Sequence, residues 1–85
     1  MIQYYPQKSR PAEEREIKTT VYNILRNTEA IGNNTMLYDV LVQRVGEHLE
    51  EIRLTYEKSS IEDAIKEMVL DDMVYLTDGM VGLVI

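Results

Sequence analysis

His48 is the only histidine, and nothing in the 85 residues is spaced to recruit it for chemistry. The chain has no cysteine and no second histidine, so a metal held at His48 would need carboxylates for all its other protein ligands. His48 therefore reads as a surface or half-buried histidine on a helix. Glu50-Glu51 and Asp71-Asp72 are neighbours in sequence, and neighbours do not face each other on a helix, so shared acid/base work is not expected of either pair. Serine, threonine and tyrosine hydroxyls are plentiful, yet no G-x-S-x-G, HExxH or P-loop pattern surrounds any of them. The chain reads as a non-enzyme with no catalytic residue, no metal and no cofactor.

Six tyrosines remain: Tyr4, Tyr5, Tyr22, Tyr38, Tyr56 and Tyr75. Aromatic rings can stack on bases or fill the edge of a partner surface. Tyr22, Tyr38 and Tyr75 read as packing in a small core, whereas Tyr4 and Tyr5 read equally as packing on the domain or as partner contacts. Charge is a sharper discriminator. Residues 1–34 sum to +1 and residues 35–85 to −7, so the whole acidic excess lies in the second half. Phosphates would be repelled there, and affinity for nucleic acid comes largely from neutralising them.

The elements that position these groups follow from periodicity. Residues 1–10 show no sustained pattern and read as an extended N-terminal arm, leaving 11–85 as one small domain. Pro11 suits a first helical turn, and Glu13, Glu14 and Glu16 complement the positive end of a helix dipole. That helix is predicted to reach about Asn27, burying Ile17, Val21, Ile24 and Leu25 with Thr20 and Thr28 at the margin, while Arg15, Lys18 and Arg26 stay in solvent. After the Gly32-Asn33-Asn34 break, Thr35 is expected to cap a second helix from Met36 to about Arg53, with Leu37, Val40, Leu41, Val45, Leu49 and Ile52 inward. Gly46 would mark a bend or an early end. Leu54 to Lys58 then reads as a turn, and Ser59 or Ser60 as the cap of a third helix whose inward stripe is Ile61, Ala64, Ile65, Met68 and Val69.

Met73 to Thr77 and Met80 to Ile85 flank Asp78-Gly79, which suits the positive φ angles of a type I′ hairpin turn. Three helices followed by a C-terminal β-hairpin give an α+β fold of the winged helix-turn-helix kind. A plain three-helix bundle with a trailing tail is the alternative, disfavoured because that tail is rich in apolar, β-branched residues. In DNA-binding winged helices the third helix enters the major groove. Here its outward residues, Glu62, Asp63, Lys66, Glu67 and Asp71, sum to −3 and would press carboxylates against phosphates. Nucleic-acid contact therefore falls to Lys8, Arg10, Arg15, Lys18 and Arg26 on the arm and first helix. Tyr4, Tyr5, Glu62, Asp63, Lys66 and Glu67 are expected to meet a protein partner.

Several stretches carry a family resemblance. They are Glu16-Ile17, Val21-Tyr22-Asn23-Ile24-Leu25, Gly32-Asn33-Asn34-Thr35-Met36-Leu37, Leu41-Val42, Ile61 through Val69, and Val74-Tyr75-Leu76. Together they resemble the small helical and winged-helix segment that precedes the motor of RecD-like DNA helicases. The resemblance spans most of residues 15–83. Asn33 stands where that segment usually has histidine, Asn34 is an extra residue, and the Walker motor is absent. The resemblance implies a non-catalytic winged-helix module in DNA transactions, as an accessory or DNA-binding domain of a helicase-like or regulatory assembly. The alternative is a protein-interaction winged helix with no nucleic-acid role. With no long apolar run, no membrane role is expected, and the absence of cysteine fits a cytoplasmic location. The open edge of a short hairpin leaves a homodimer as a further expectation.

Overall fold

In the computed structural model, which describes residues 10–28 and 34–84, the chain is an α+β domain. Its elements run β1 (Arg10–Pro11), α1 (Glu14–Asn27), β2 (Thr35–Leu37), α2 (Tyr38–Glu51), β3 (Leu54–Thr55), α3 (Lys58–Leu70), β4 (Val74–Thr77) and β5 (Met80–Leu83). The expectations for Tyr4, Tyr5 and Lys8 lie outside the described residues.

Each helix presents one apolar stripe to a common centre. Ile17, Val21 and Leu25 come from α1, Leu41, Val42, Val45 and Leu49 from α2, and Ile61, Ala64, Ile65 and Met68 from α3; the hairpin closes over them with Val74 and Val81. The third-helix stripe agrees with the periodicity, Val69 being half-buried at its margin. On α2 the buried stripe keeps Leu41, Val45 and Leu49 of the expected set and is trimmed at both ends. Val42 is buried, whereas Leu37 and Ile52 are 53% and 48% exposed, because the helix starts later and stops earlier than an unbroken pattern from Met36 to Arg53 would allow. Gly46 does not end it. It lies in mid-helix where the Tyr56 ring crosses, and a Cβ there would sit 2.6 Å from the Tyr56 hydroxyl oxygen.

The sheet accounts for the later start of α2. Thr35, Met36 and Leu37 do not open the helix but pair antiparallel with Gly82, Val81 and Met80, so the strand order is β2-β5-β4 with β5 central. A lone two-stranded hairpin is marginal in water, and β5, with Val81 and Gly82 buried, gains a partner on its second edge. Leu37 thereby becomes the residue before the first turn of α2, and Thr35 caps nothing. Asp78 and Gly79 have φ of 52° and 75°, both positive as a type I′ turn requires. The Gly79 carbonyl accepts the Tyr38 backbone N–H at 2.8 Å, tying the hairpin tip to the start of α2.

A second, smaller pairing moves the first helix. Arg10 and Pro11 run parallel to Leu54 and Thr55, and the Ala12 N–H donates to the Thr55 carbonyl at 2.8 Å. Pro11 is thus drawn into a strand instead of a first helical turn, and α1 begins at Glu14 with Glu13 as its cap. The Glu13 N–H donates to the Glu16 carboxylate at 2.9 Å. On α3 the cap is Glu57, in extended conformation, and Ser59 and Ser60 fall inside the first turn, because Lys58 is already helical. At the other end of α3, Asp72 is left-handed (φ 60°) and its N–H bonds to the Val69 carbonyl, while the Met73 N–H bonds to that of Met68. This is a Schellman ending, so Asp71-Asp72 terminates the helix and aims the chain into β4.

Candidate functional site

Two surfaces bring together residues nominated from the sequence. The first is the outer face of α1. Arg15, Lys18, Tyr22 and Arg26 recur at intervals of three, four and four residues and so share one face, spanning about 16 Å from Arg15 to Arg26 at 1.5 Å per residue. A shallow groove of about 510 Å³ runs beside it, lined by Glu14, Arg15, Lys18, Thr19, Tyr22 and Met73. Tyr22 is 38% exposed there and does not pack in the core as expected, because the buried stripe of α1 passes through Val21 and Leu25.

The cations of this surface are largely engaged within the molecule. Arg10 makes two hydrogen bonds to the Glu16 carboxylate, at 2.8 and 2.6 Å. The paired guanidinium, together with the Glu13 N–H, holds the Glu16 carboxyl down at about 2. Lys18 is only 25% exposed, contrary to its expected place in solvent, because its ammonium sits 3.1 Å from Glu14 and 3.1 Å from Glu67. Those two carboxylates, Glu67 first, raise the Lys18 pKa. Arg15 reaches only to 3.9 Å from Glu13 and is 87% exposed. Arg26 is exposed, with no ion pair among the described residues.

The second surface is a groove of about 720 Å³ where α3, the start of α2 and the hairpin tip converge. From α3 come Glu62, Asp63 and Lys66; from the β2–α2 junction Leu37, Tyr38 and Asp39; from the hairpin Leu76 and Gly79. Three of the four α3 residues nominated for partner contact meet here. The fourth, Glu67, points to the α1–α3 seam, where Lys18 holds it. Leu37 and Leu76 are 53% and 50% exposed on the groove's apolar flank. The Tyr38 phenol is pushed above its ordinary pKa by burial first, and then by the negative charges of Glu62, Asp39 and Asp63. By formal charge, the groove's lining holds three carboxylates, Asp39, Glu62 and Asp63, against the one ammonium of Lys66.

Leu37, Asp39 and Leu76 were missed as site residues. Leu37 reads as one more inward helical position until β2 takes it out of the helix. Asp39 carries a faint signal, an acid in the first turn of a helix. Leu76 belongs to the inward-facing set of β4, yet the hairpin extends past the core and leaves it half uncovered.

Among the described residues, the remaining nominations lie outside these two grooves. His48 lies on the exposed side of α2 with Nδ1 3.9 Å from Glu51. No group of three or more metal-ligating side chains occurs among the described residues. Tyr75 is 41% exposed rather than in the core, because its ring lies across Gly82 on the outer face of the sheet. No helix among the described residues is long and apolar enough to cross a membrane. Comparison with models of known families, with curated proteins and with solved structures finds no match to this chain.

Proposed function

We propose that this chain is a non-catalytic winged-helix module that works by binding a protein partner on the face formed by α3 and the β-hairpin. The winged-helix assignment is supported by the element order, in which a strand between the first two helices joins the C-terminal hairpin as the third strand of its sheet. The observation that carries the functional reading is the α3–hairpin groove: it combines half-exposed leucines with a net negative field, which suits a protein surface and repels a phosphate backbone. The resemblance to the segment preceding the motor of RecD-like helicases sets such a module within a DNA-transaction assembly, where it would join through its partner.

A second reading, direct DNA contact through α1, is favoured by one observation, the exposed Arg15 and Arg26 flanking Tyr22. Titration of labelled single- and double-stranded DNA at low and at moderate salt separates the two. Protein binding as the main role predicts no DNA complex at moderate salt. A salt-sensitive complex that Arg15→Glu with Arg26→Glu abolishes would overturn it in favour of the α1 reading. Lys18 is left unchanged in this test because it bridges Glu14 and Glu67, so reversing it would also disturb the α1–α3 seam.

A further inference from the structure

We propose that the groove between α3 and the hairpin seats a lysine- or arginine-rich peptide segment of the partner carrying an aliphatic anchor. The inference rests on the protein-binding reading above and names the chemistry of what binds. Leu37 and Leu76 supply the apolar part, each about half exposed beside an open volume of about 720 Å³. An aliphatic side chain laid between them removes apolar surface of both partners from water. Asp39, Glu62 and Asp63 supply the charge, against which Lys66 is the single cation of the lining.

Charge complementarity selects among the occupants. A second copy of the chain meeting groove to groove would set Asp39, Glu62 and Asp63 against the same carboxylates. Nucleic acid would set phosphates against three carboxylates. A segment with cations spaced around an apolar anchor matches both parts of the groove at once. The mixed lining of the α1 groove, with Glu14 beside Arg15 and Lys18, makes no such selection.

The test uses a short synthetic peptide, blocked at both ends, with leucine at every third or fourth position among lysines, titrated into isotopically labelled protein. Amide shifts should concentrate at Leu37 to Asp39, Glu62 to Lys66 and Leu76 to Gly79, and affinity should fall as salt rises. The same peptide with serine for leucine, or glutamate for lysine, should bind at least about tenfold more weakly. Glu62→Lys with Asp63→Lys should weaken binding at least about tenfold, since reversal replaces attraction by repulsion at two positions. Glu62→Gln with Asp63→Asn, which leaves the backbone least disturbed, should weaken it about threefold.

Glu47→Lys with Glu51→Lys makes the same net charge change on the exposed side of α2 and should leave affinity within about twofold. Equal weakening by this control, shifts centred on Tyr22 and Met73, or no binding at low salt would each overturn the proposal. Salt-sensitive DNA binding through Arg15 and Arg26 would overturn the underlying protein-binding reading, whereas a protein that ignores both DNA and peptide overturns the cationic-segment inference alone.

Discussion

Gly79→Val tests the hairpin on which both the sheet and the groove depend. Gly79 has φ of 75°, and the space a Cβ would enter holds no heavy atom within 4 Å, so steric crowding contributes nothing and the backbone alone sets the cost. A left-handed conformation costs an L-residue about 1–2 kcal/mol, and β-branching places valine at the upper end. If the turn relaxes to escape that strain, it moves the Gly79 carbonyl away from the Tyr38 N–H, 2.8 Å distant, and exchanges the strain for a loss of about 0.5–1.5 kcal/mol. Either way the expected loss is about 1–2 kcal/mol, which lowers the thermal midpoint of a domain this size by about 4–16 °C. Thermal unfolding followed by circular dichroism measures it. Gly79→Asn should lose little, because asparagine tolerates the left-handed region, and Gly79→Ala should fall between the two. A midpoint for Gly79→Val equal to that of Gly79→Asn would refute the positive-φ turn and, with it, the registration of β4 on β5 that carries Leu76 to the groove.

Two further substitutions probe the ends of helices. Asp72→Gly should stabilise the domain by about 0.5–1 kcal/mol, raising the midpoint by a few degrees, because it relieves a left-handed non-glycine residue and removes a negative charge from the carboxyl end of α3; an unchanged or lower midpoint counts against the Schellman ending. At the start of α1, the folded-state pKa of Glu16, about 2, lies below its ordinary 4.5, so the stability it contributes is full above pH 4.5 and is lost as pH falls towards 2. Arg10→Gln should raise the Glu16 midpoint in a carboxyl-resolved NMR titration, and the stability difference between wild type and Glu16→Gln should shrink over that same acidic window; a Glu16 midpoint indifferent to Arg10→Gln would dissolve the pair.

Much of this protein is legible in local chemistry along the chain. The α3 stripe from Ile61 to Met68 repeats at helical spacing, and that repeat survives folding because the core takes whatever face is apolar. Asp78-Gly79 announced its turn because few residue pairs adopt two positive φ angles readily. The uneven charge also followed from the sequence alone, and with it the poor fit of α3 to phosphates. The strand Thr35–Leu37 was not legible, since three residues carry no period and Met36-Leu37 continues smoothly into a helical pattern; only the open edge of β5 assigns them to the sheet. Arg10–Pro11 was hidden for the same reason, its partner Leu54–Thr55 lying more than forty residues away.

The same division runs through the candidate surfaces. Residue type nominated Arg10 and Lys18 as free cations, but distance decided otherwise, with Glu16 and Glu67 brought to them by β1 and by the packing of α1 on α3. Glu62 and Asp63 were visible as acids on an outward face. That they form one wall of a groove, with Leu37 and Leu76 opposite, depends on three elements meeting at one place. A sequence fixes which face of an element is apolar and what charge it bears, because both are properties of neighbours along the chain; which faces come together depends on pairings among residues far apart in it, and those only the folded backbone decides.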